Sequence, residues 1–265
     1  AKQTIDSLKA GKNVYCEKPM VQKLEQGKQV IAAQKESGKI VQIGSQYASS
    51  MVYQKARELL AAGAIGKINL VEAWLDRNTA IGAWQYSIPP DASPDTVDWD
   101  RYVEPTVKRP FDATRFFRWR NYRDYGTGVA GDLFVHLLTG LHVATGSAGP
   151  SRIFATGGLR YWNDGRDVPD VMLATMDYPE FNLVLRVNFK SGGTIEDFGV
   201  KFTGTEGVMS TGFTELKLWR QPAEREPGYS IETFSKDTRE KFLAEYRAKY
   251  PQRTPTHGGM AAQTV

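Results

Sequence analysis

A short apolar strand cut off by a proline constrains this chain more than any other stretch. Val14-Tyr15-Cys16 follows a Gly11-Lys12-Asn13 turn and reads as a buried strand. Glu17-Lys18-Pro19 ends it, because proline has no N–H for the ladder. An ammonium group is thereby set at the carboxyl end of a sheet strand, with a helix to follow. Helical spacing over 2–10 ends at Gly11, and spacing over 24–37 ends at Gly38. A second apolar strand is expected over 40–43. This α–β–α–β order belongs to a parallel sheet with right-handed crossovers. Such open sheets bind ligands at their carboxyl edge. A doubly wound sheet needs more than two strands, so further strands are expected ahead of Ala1.

The pattern changes downstream. A helix is expected over 52–62 and a strand over 68–75. Between 78 and 110, Pro89, Pro90, Pro94, Pro105 and Pro110 forbid long elements. A connection of that length is often functional or packs over a site, and a plain surface loop is an equal reading. Leu133, Leu137, Leu138, Leu141 and Ala144 recur at steps of three and four, which predicts a helix over 131–144. Short runs at 153–159, 171–178, 183–189, 197–203, 208–210 and 216–219 then alternate with turn residues. Gly204-Thr205-Glu206-Gly207 is the expected hairpin turn between two of them. An amphipathic helix is expected over 238–248, with Phe242 and Tyr246 on one face, and loops over 220–228 and 251–259. The fold class is therefore α/β plus α+β. Residues 1–44 form the end of a parallel-sheet domain. Residues 45–265 form a second domain with a large, mainly antiparallel open sheet backed by helices, itself incomplete at its C-terminus.

Charge and composition exclude several roles. The net charge is only +4, with both signs interspersed. The densest basic stretch, 115–123, also carries Phe116, Phe117, Trp119 and Tyr122. Interleaving of that kind can serve nucleic acid. No recognition motif accompanies it, so no nucleic-acid partner is expected. No apolar run reaches the length of about 18 residues that a membrane helix needs. The single cysteine, Cys16, excludes an intrachain disulfide and reads as a buried small hydrophobe. The first helix begins uncapped and 258–263 closes neither strand nor helix, so a piece of a longer chain is expected. A cytoplasmic location is expected; a periplasmic or secreted one stays open, since a leader would lie upstream.

Two motifs compete for chemistry. Gly126-Thr127-Gly128-Val129-Ala130-Gly131 spells GxGxxG. A dinucleotide fingerprint needs a strand before it and an acidic residue about 20 positions later. Neither is present, so the glycines read as a lead-in where backbone approaches something closely. Asp132 and His136, four apart, share a helix face. A histidine among Leu133, Phe134, Val135 and Leu137 is more often a satisfied core residue. An aspartate one turn earlier shifts the balance toward acid–base work. No third ligand is spaced for a metal, and no metal is expected. Lys18, Asp132 and His136 together would make a proton relay beside a sheet edge.

These residues, in order, resemble a family. Ala10 to Pro19, Val41 to Gln46, Trp119-Arg120, Gly126 to Gly131 leading to Asp132 and His136, and Gly204-Thr205-Glu206-Gly207 are similar to the glucose–fructose oxidoreductase/inositol dehydrogenase (Gfo/Idh/MocA) family. The resemblance runs over nearly the whole chain. It implies a two-domain oxidoreductase, the first domain of Rossmann type, that uses NAD or NADP on a sugar, polyol or related hydroxy compound. By that analogy Lys18 polarises or deprotonates the reacting hydroxyl. His136 accepts the proton, and Asp132 orients His136 or the substrate. Glu17, Lys18, Pro19 and Gln46 line the cofactor edge, and Trp119-Arg120 approaches the cofactor from the second domain. A cis bond is implied at Lys18-Pro19, and a homo-oligomer through the open sheet. The family's phosphate-binding glycine loop and ribose-reading acid would lie ahead of Ala1, so the 265-residue chain by itself is expected to be inactive. Two other readings stay open: an NAD-dependent glycosidase of the same superfamily, and a non-catalytic sugar-binding or regulatory protein. Trp84, Tyr86, Arg115, Arg118 and Tyr161 are candidate walls for a sugar.

Overall fold

The structure is a computed structural model, and it describes residues 1–193, 196–220, 229–250 and 263–264. Helix α1 (Lys2–Lys9) packs on α2 (Leu24–Ser37), which closes at Gly38 in the left-handed region (φ 63°). Strand β1 (Val14–Glu17) pairs in parallel with β2 (Val41–Gly44), bringing Glu17 opposite Gly44. The expected parallel order is present. The expected burial is not: Tyr15 is 64% exposed and Cys16 only half-buried. With just two strands, each pleat has little to lie against, so apolar composition overstates burial here.

Helix α3 (Met51–Ala61) leads through Gly63 to β3 (Ile68–Arg77). Short helices α4 (Trp99–Val103) and α5 (Ala113–Phe117) interrupt the proline-rich connection. Trp99, Val103 and Val97 anchor a small separate core there, against Tyr102, Phe111, Phe116 and Tyr125. A π-helical segment (Ala130–Phe134) runs directly into α6 (Val135–Thr145). Strands β4 (Arg152–Gly158), β5 (Val171–Asp177), β6 (Asn182–Asn188), β7 (Glu196–Gly204), β8 (Gly207–Thr211) and β9 (Leu216–Arg220) follow. After them come α7 (Lys236–Lys249), capped by Ser235, and β10 (Gln263–Thr264). The 204–207 turn joins β7 to β8 as the sequence predicts. The loops expected over 220–228 and 251–259 lie outside the described residues, apart from Arg220 at the end of β9.

The large sheet runs β10-β9-β8-β7-β3-β6-β5-β4. It is mainly antiparallel, but β3 pairs in parallel with β6 and antiparallel with β7. Alternation decides which face is covered. Val71, Ala73 and Leu75 of β3, Leu183, Leu185 and Val187 of β6, and Val200 and Phe202 of β7 all turn inward and are buried. Helices α3 and α6 cover that face. The two helices touch closely at Gly140, where a Cβ would stand 2.2 Å from Cζ of the fully buried Tyr53. A side chain on Gly140 would drive α6 off the sheet and move everything that α6 carries. On the opposite face, Glu72–Lys201 and Asp76–Arg186 ion pairs sit among Trp74 and Leu173. Among the described residues no helix is long and apolar enough to cross a membrane.

Candidate functional site

The site forms where the carboxyl ends of β1 and β2 meet the start of α6. Pro19 stops β1, its bond to Lys18 is cis, and the Lys18 side chain leaves the sheet edge. Its Nζ donates to the Asp132 carbonyl (2.8 Å) and to Asp132 Oδ1 (2.9 Å). Both side chains are largely covered, at 15% and 13% exposed. Asp132 lies in the π-helical segment. The wider turn there re-aims side chains from their ordinary helical directions, and such turns recur at functional sites. The second carboxylate oxygen, Oδ2, accepts from Arg120 Nε at 3.0 Å. One carboxylate thus joins a lysine from the first sheet to an arginine 12 residues before it.

His136 stands in the first turn of α6. Its Nδ1 is buried and has no hydrogen-bond partner among the described residues. The ring meets Tyr47 edge-on at 5.5 Å, and Tyr47 stacks on Phe198 of β7. Burial, with help from the nearby Lys18 charge and against the pull of Asp132, pushes the imidazole pKa down to about 4. His136 is therefore neutral near pH 7. One turn further, Thr139 Oγ1 and Ser45 Oγ share a hydrogen bond of 2.9 Å. Asp132, His136 and Thr139 thus present one stripe to the ends of β1 and β2.

The structure brings Lys18, Asp132, His136 and Arg120 together, with Trp119 stacked on the Arg120 guanidinium at 4.3 Å. The Asp132 carboxylate engages Lys18 and Arg120, not the His136 ring. Glu17 and Gln46 are exposed at the same strand ends. Of the candidate walls, Tyr86 faces Arg120 (6.0 Å) and Arg118 donates to the Tyr86 carbonyl. Trp84 is instead a core residue against Phe189, at positive φ (64°). Arg115 packs over Tyr122 with Asp112 and Asp124 as its ion partners. Tyr161 is exposed beside Trp162 and Lys190. Sequence reasoning missed Tyr47 and Thr139. The i, i+4, i+7 step from Asp132 through His136 to Thr139 was the available signal for Thr139; Tyr47 gave none.

The GxGxxG stretch is not a phosphate loop. A 3₁₀ turn (Trp119–Asn121) lies before it, not a strand. A Cβ on Gly131 would fall 2.2 Å from Thr127 Oγ1, and one on Gly126 would meet the Arg120 backbone at 3.3 Å. The glycines let this segment fold back on itself, which seats Arg120 beside Asp132.

Residues 1–45 match the model of the Gfo/Idh/MocA oxidoreductase family, described by its NAD-binding Rossmann fold. The match covers the first 45 of the 265 residues, so the similarity to that family lies in the nucleotide-binding portion. A 1,5-anhydro-D-fructose reductase of Ensifer adhaerens is 31% identical over 65 residues, covering 24% of this chain and 20% of that protein. An inositol dehydrogenase homolog from Azotobacter vinelandii, complexed with NADH and myo-inositol, superposes with a TM-score of 0.61 at 18% identity. It matches 86% of this chain and 53% of its own. A levoglucosan dehydrogenase in complex with NADH and L-sorbose gives 0.62 at 17% identity, over 100% of this chain and 57% of its own. At that identity the likeness is one of fold. The chain spans about half the length of these two structures.

The residues present suit the nicotinamide end of an NAD-type cofactor. The buried Nδ1 of His136 lacks a partner, the Lys18 ammonium has a donor to spare, and Glu17 and Gln46 stand open at the strand ends.

Proposed function

We propose that this chain supplies the catalytic half of an NAD(P)-dependent oxidoreductase acting on a hydroxyl of a sugar, polyol or related compound. Residues 1–44 would belong to its cofactor domain and 45–265 to its substrate domain. The observation that carries the reading is the Asp132 bridge, which fixes the Lys18 ammonium beside a neutral His136. When bound, the cofactor supplies the hydride acceptor. Lys18 has two N–H groups committed to Asp132 and a third left for the reacting hydroxyl. That contact holds the oxygen and stabilises the negative charge that grows on it. His136 takes the proton. Asp132, tied by both oxygens, keeps Lys18 in place and is not itself the base.

The inositol dehydrogenase homolog and the levoglucosan dehydrogenase are both complexes with NADH and a polyol or sugar, which supports this class. Spectrophotometry at the reduced-nicotinamide band tests it in the full-length protein. One NADH or NADPH should appear for each substrate oxidised. Sugar release from a glycoside with no net absorbance change would replace this reading by the glycosidase one.

The open face of the large sheet is the proposed contact between copies. Edge strand β4 carries Phe154 there, 71% exposed and opposite Thr175 of β5, with Leu173 two residues along β5 on the same face. Sedimentation velocity should show a dimer or larger species, and Phe154→Glu should shift it toward monomer. A monomer before substitution rules the contact out.

A further inference from the structure

Cations outnumber carboxylates around the reacting end of the site. Lys18 and Arg120 share the Asp132 carboxylate, and Glu17, exposed at the strand end, is the other carboxylate there. Arg118 adds a third positive charge. It donates through Nε to the Tyr86 carbonyl (2.9 Å) and through Nη1 to the Gln85 side-chain oxygen, both neutral acceptors. No described carboxylate forms an ion pair with it. Deeper in, Arg166 and Asp164 pair and cancel. The local balance therefore stays positive, and the partial burial of these groups keeps solvent from screening it fully.

The Arg120 guanidinium is built like a receptor. Its plane lies over Trp119 at 4.3 Å and near the Tyr86 ring at 6.0 Å, while Nε is held by Asp132. Two aromatic neighbours and one ion pair fix its orientation. Among the described residues no acceptor takes a hydrogen bond from Nη1 or Nη2. The side chain is 31% exposed, so these donors are reachable. Tyr86 also receives Arg118, so both guanidinium groups bracket one residue. A guanidinium fork left open in this way matches a carboxylate in a bidentate geometry. Mere bracing of the 78–90 connection would not need two arginines with spare charge beside a site for a neutral polyol.

We infer that the substrate is an acidic sugar or polyol whose carboxylate is seated by the free edge of Arg120, with Arg118 adding attraction. This rests on the oxidoreductase reading above and narrows its substrate class. The anion would dock beside Asp132 while a neighbouring hydroxyl meets Lys18 and His136. Arg120 then serves specificity as well as holding Asp132.

Calorimetric titration of the NADH-loaded full-length protein tests this, with D-gluconate, D-glucuronate, D-glucose, myo-inositol and D-glucose 6-phosphate as probes. At least one of the two carboxylates should bind about tenfold or more tighter than the neutral pair, and Arg120→Met should erase that preference by about 10–100-fold. Arg120→Lys keeps the charge but loses the fork, and should recover only part of it. If Arg120→Met fails to fold by circular dichroism, Arg118→Met and Arg120→Lys carry the test, each reducing the acid-over-neutral ratio. Equal affinity for acid and neutral probes overturns the inference, as does tighter binding of the phosphate or a preference that survives these variants. Tight acid binding without NADH formation from NAD would sink the hydride reading and leave the carboxylate site standing. Turnover confined to neutral polyols would do the reverse.

Discussion

Replacing Lys18 by methionine in the full-length protein is expected to lower kcat/KM for its best hydroxy substrate by about 10²–10⁴-fold. Methionine fills similar space and removes every N–H. The loss falls on the step in which charge grows on the substrate oxygen, so it should show mainly in kcat. Asp132 keeps Arg120 as its partner, so the fold should survive. Lys18→Arg should not restore activity, because a planar guanidinium cannot reach the Asp132 carbonyl and carboxylate as a compact ammonium does. Steady-state kinetics with circular dichroism as a folding control decides this. Turnover near wild type in Lys18→Met would remove Lys18 from the mechanism.

The second large effect concerns His136. His136→Ala should reduce kcat by about 10²–10³-fold by removing the proton acceptor. The intact enzyme should show no loss of kcat/KM near the ordinary histidine pKa. Its acid limb should instead fall near the depressed value of about 4. The sign for stability follows from linkage. The folded-state pKa lies below the unfolded value, so protons bind the unfolded chain more tightly. His136 favours the fold fully above about pH 6.5, and that contribution disappears as pH falls through the folded pKa. His136→Gln should flatten this part of the acid-unfolding curve. An acid limb centred near 6.5 in the wild type would show that the ring is not desolvated as described.

Much of the fold was legible because it rests on local signals. Alternation marked most strands, glycine marked the ends of α2 and α3, and Pro19 marked the end of β1. Burial of β1 was misread, because an apolar run says nothing of how many strands flank it. The candidate site shows the same division. Asp132 and His136 were legible from their spacing. The carboxylate's partners were not, since Lys18 lies 114 residues away in sequence and a π-helical turn changes where Asp132 points. Tyr47 was invisible for the same reason. Its place against His136 and Phe198 depends on the β2 end meeting both α6 and β7.

Strand β3 sits at the middle of the large sheet, yet the chain reaches it first. Val71 pairs with Leu183 on one side and Phe202 on the other, both more than a hundred residues later. On the ribosome, β3 therefore emerges with two open edges and a row of apolar side chains, and must wait for most of the chain to be made. Helix α3, made just before it, is the one early element that also lies on that face. The growing polypeptide is thus most open to self-association from the completion of β3 until β6 and β7 have both been made.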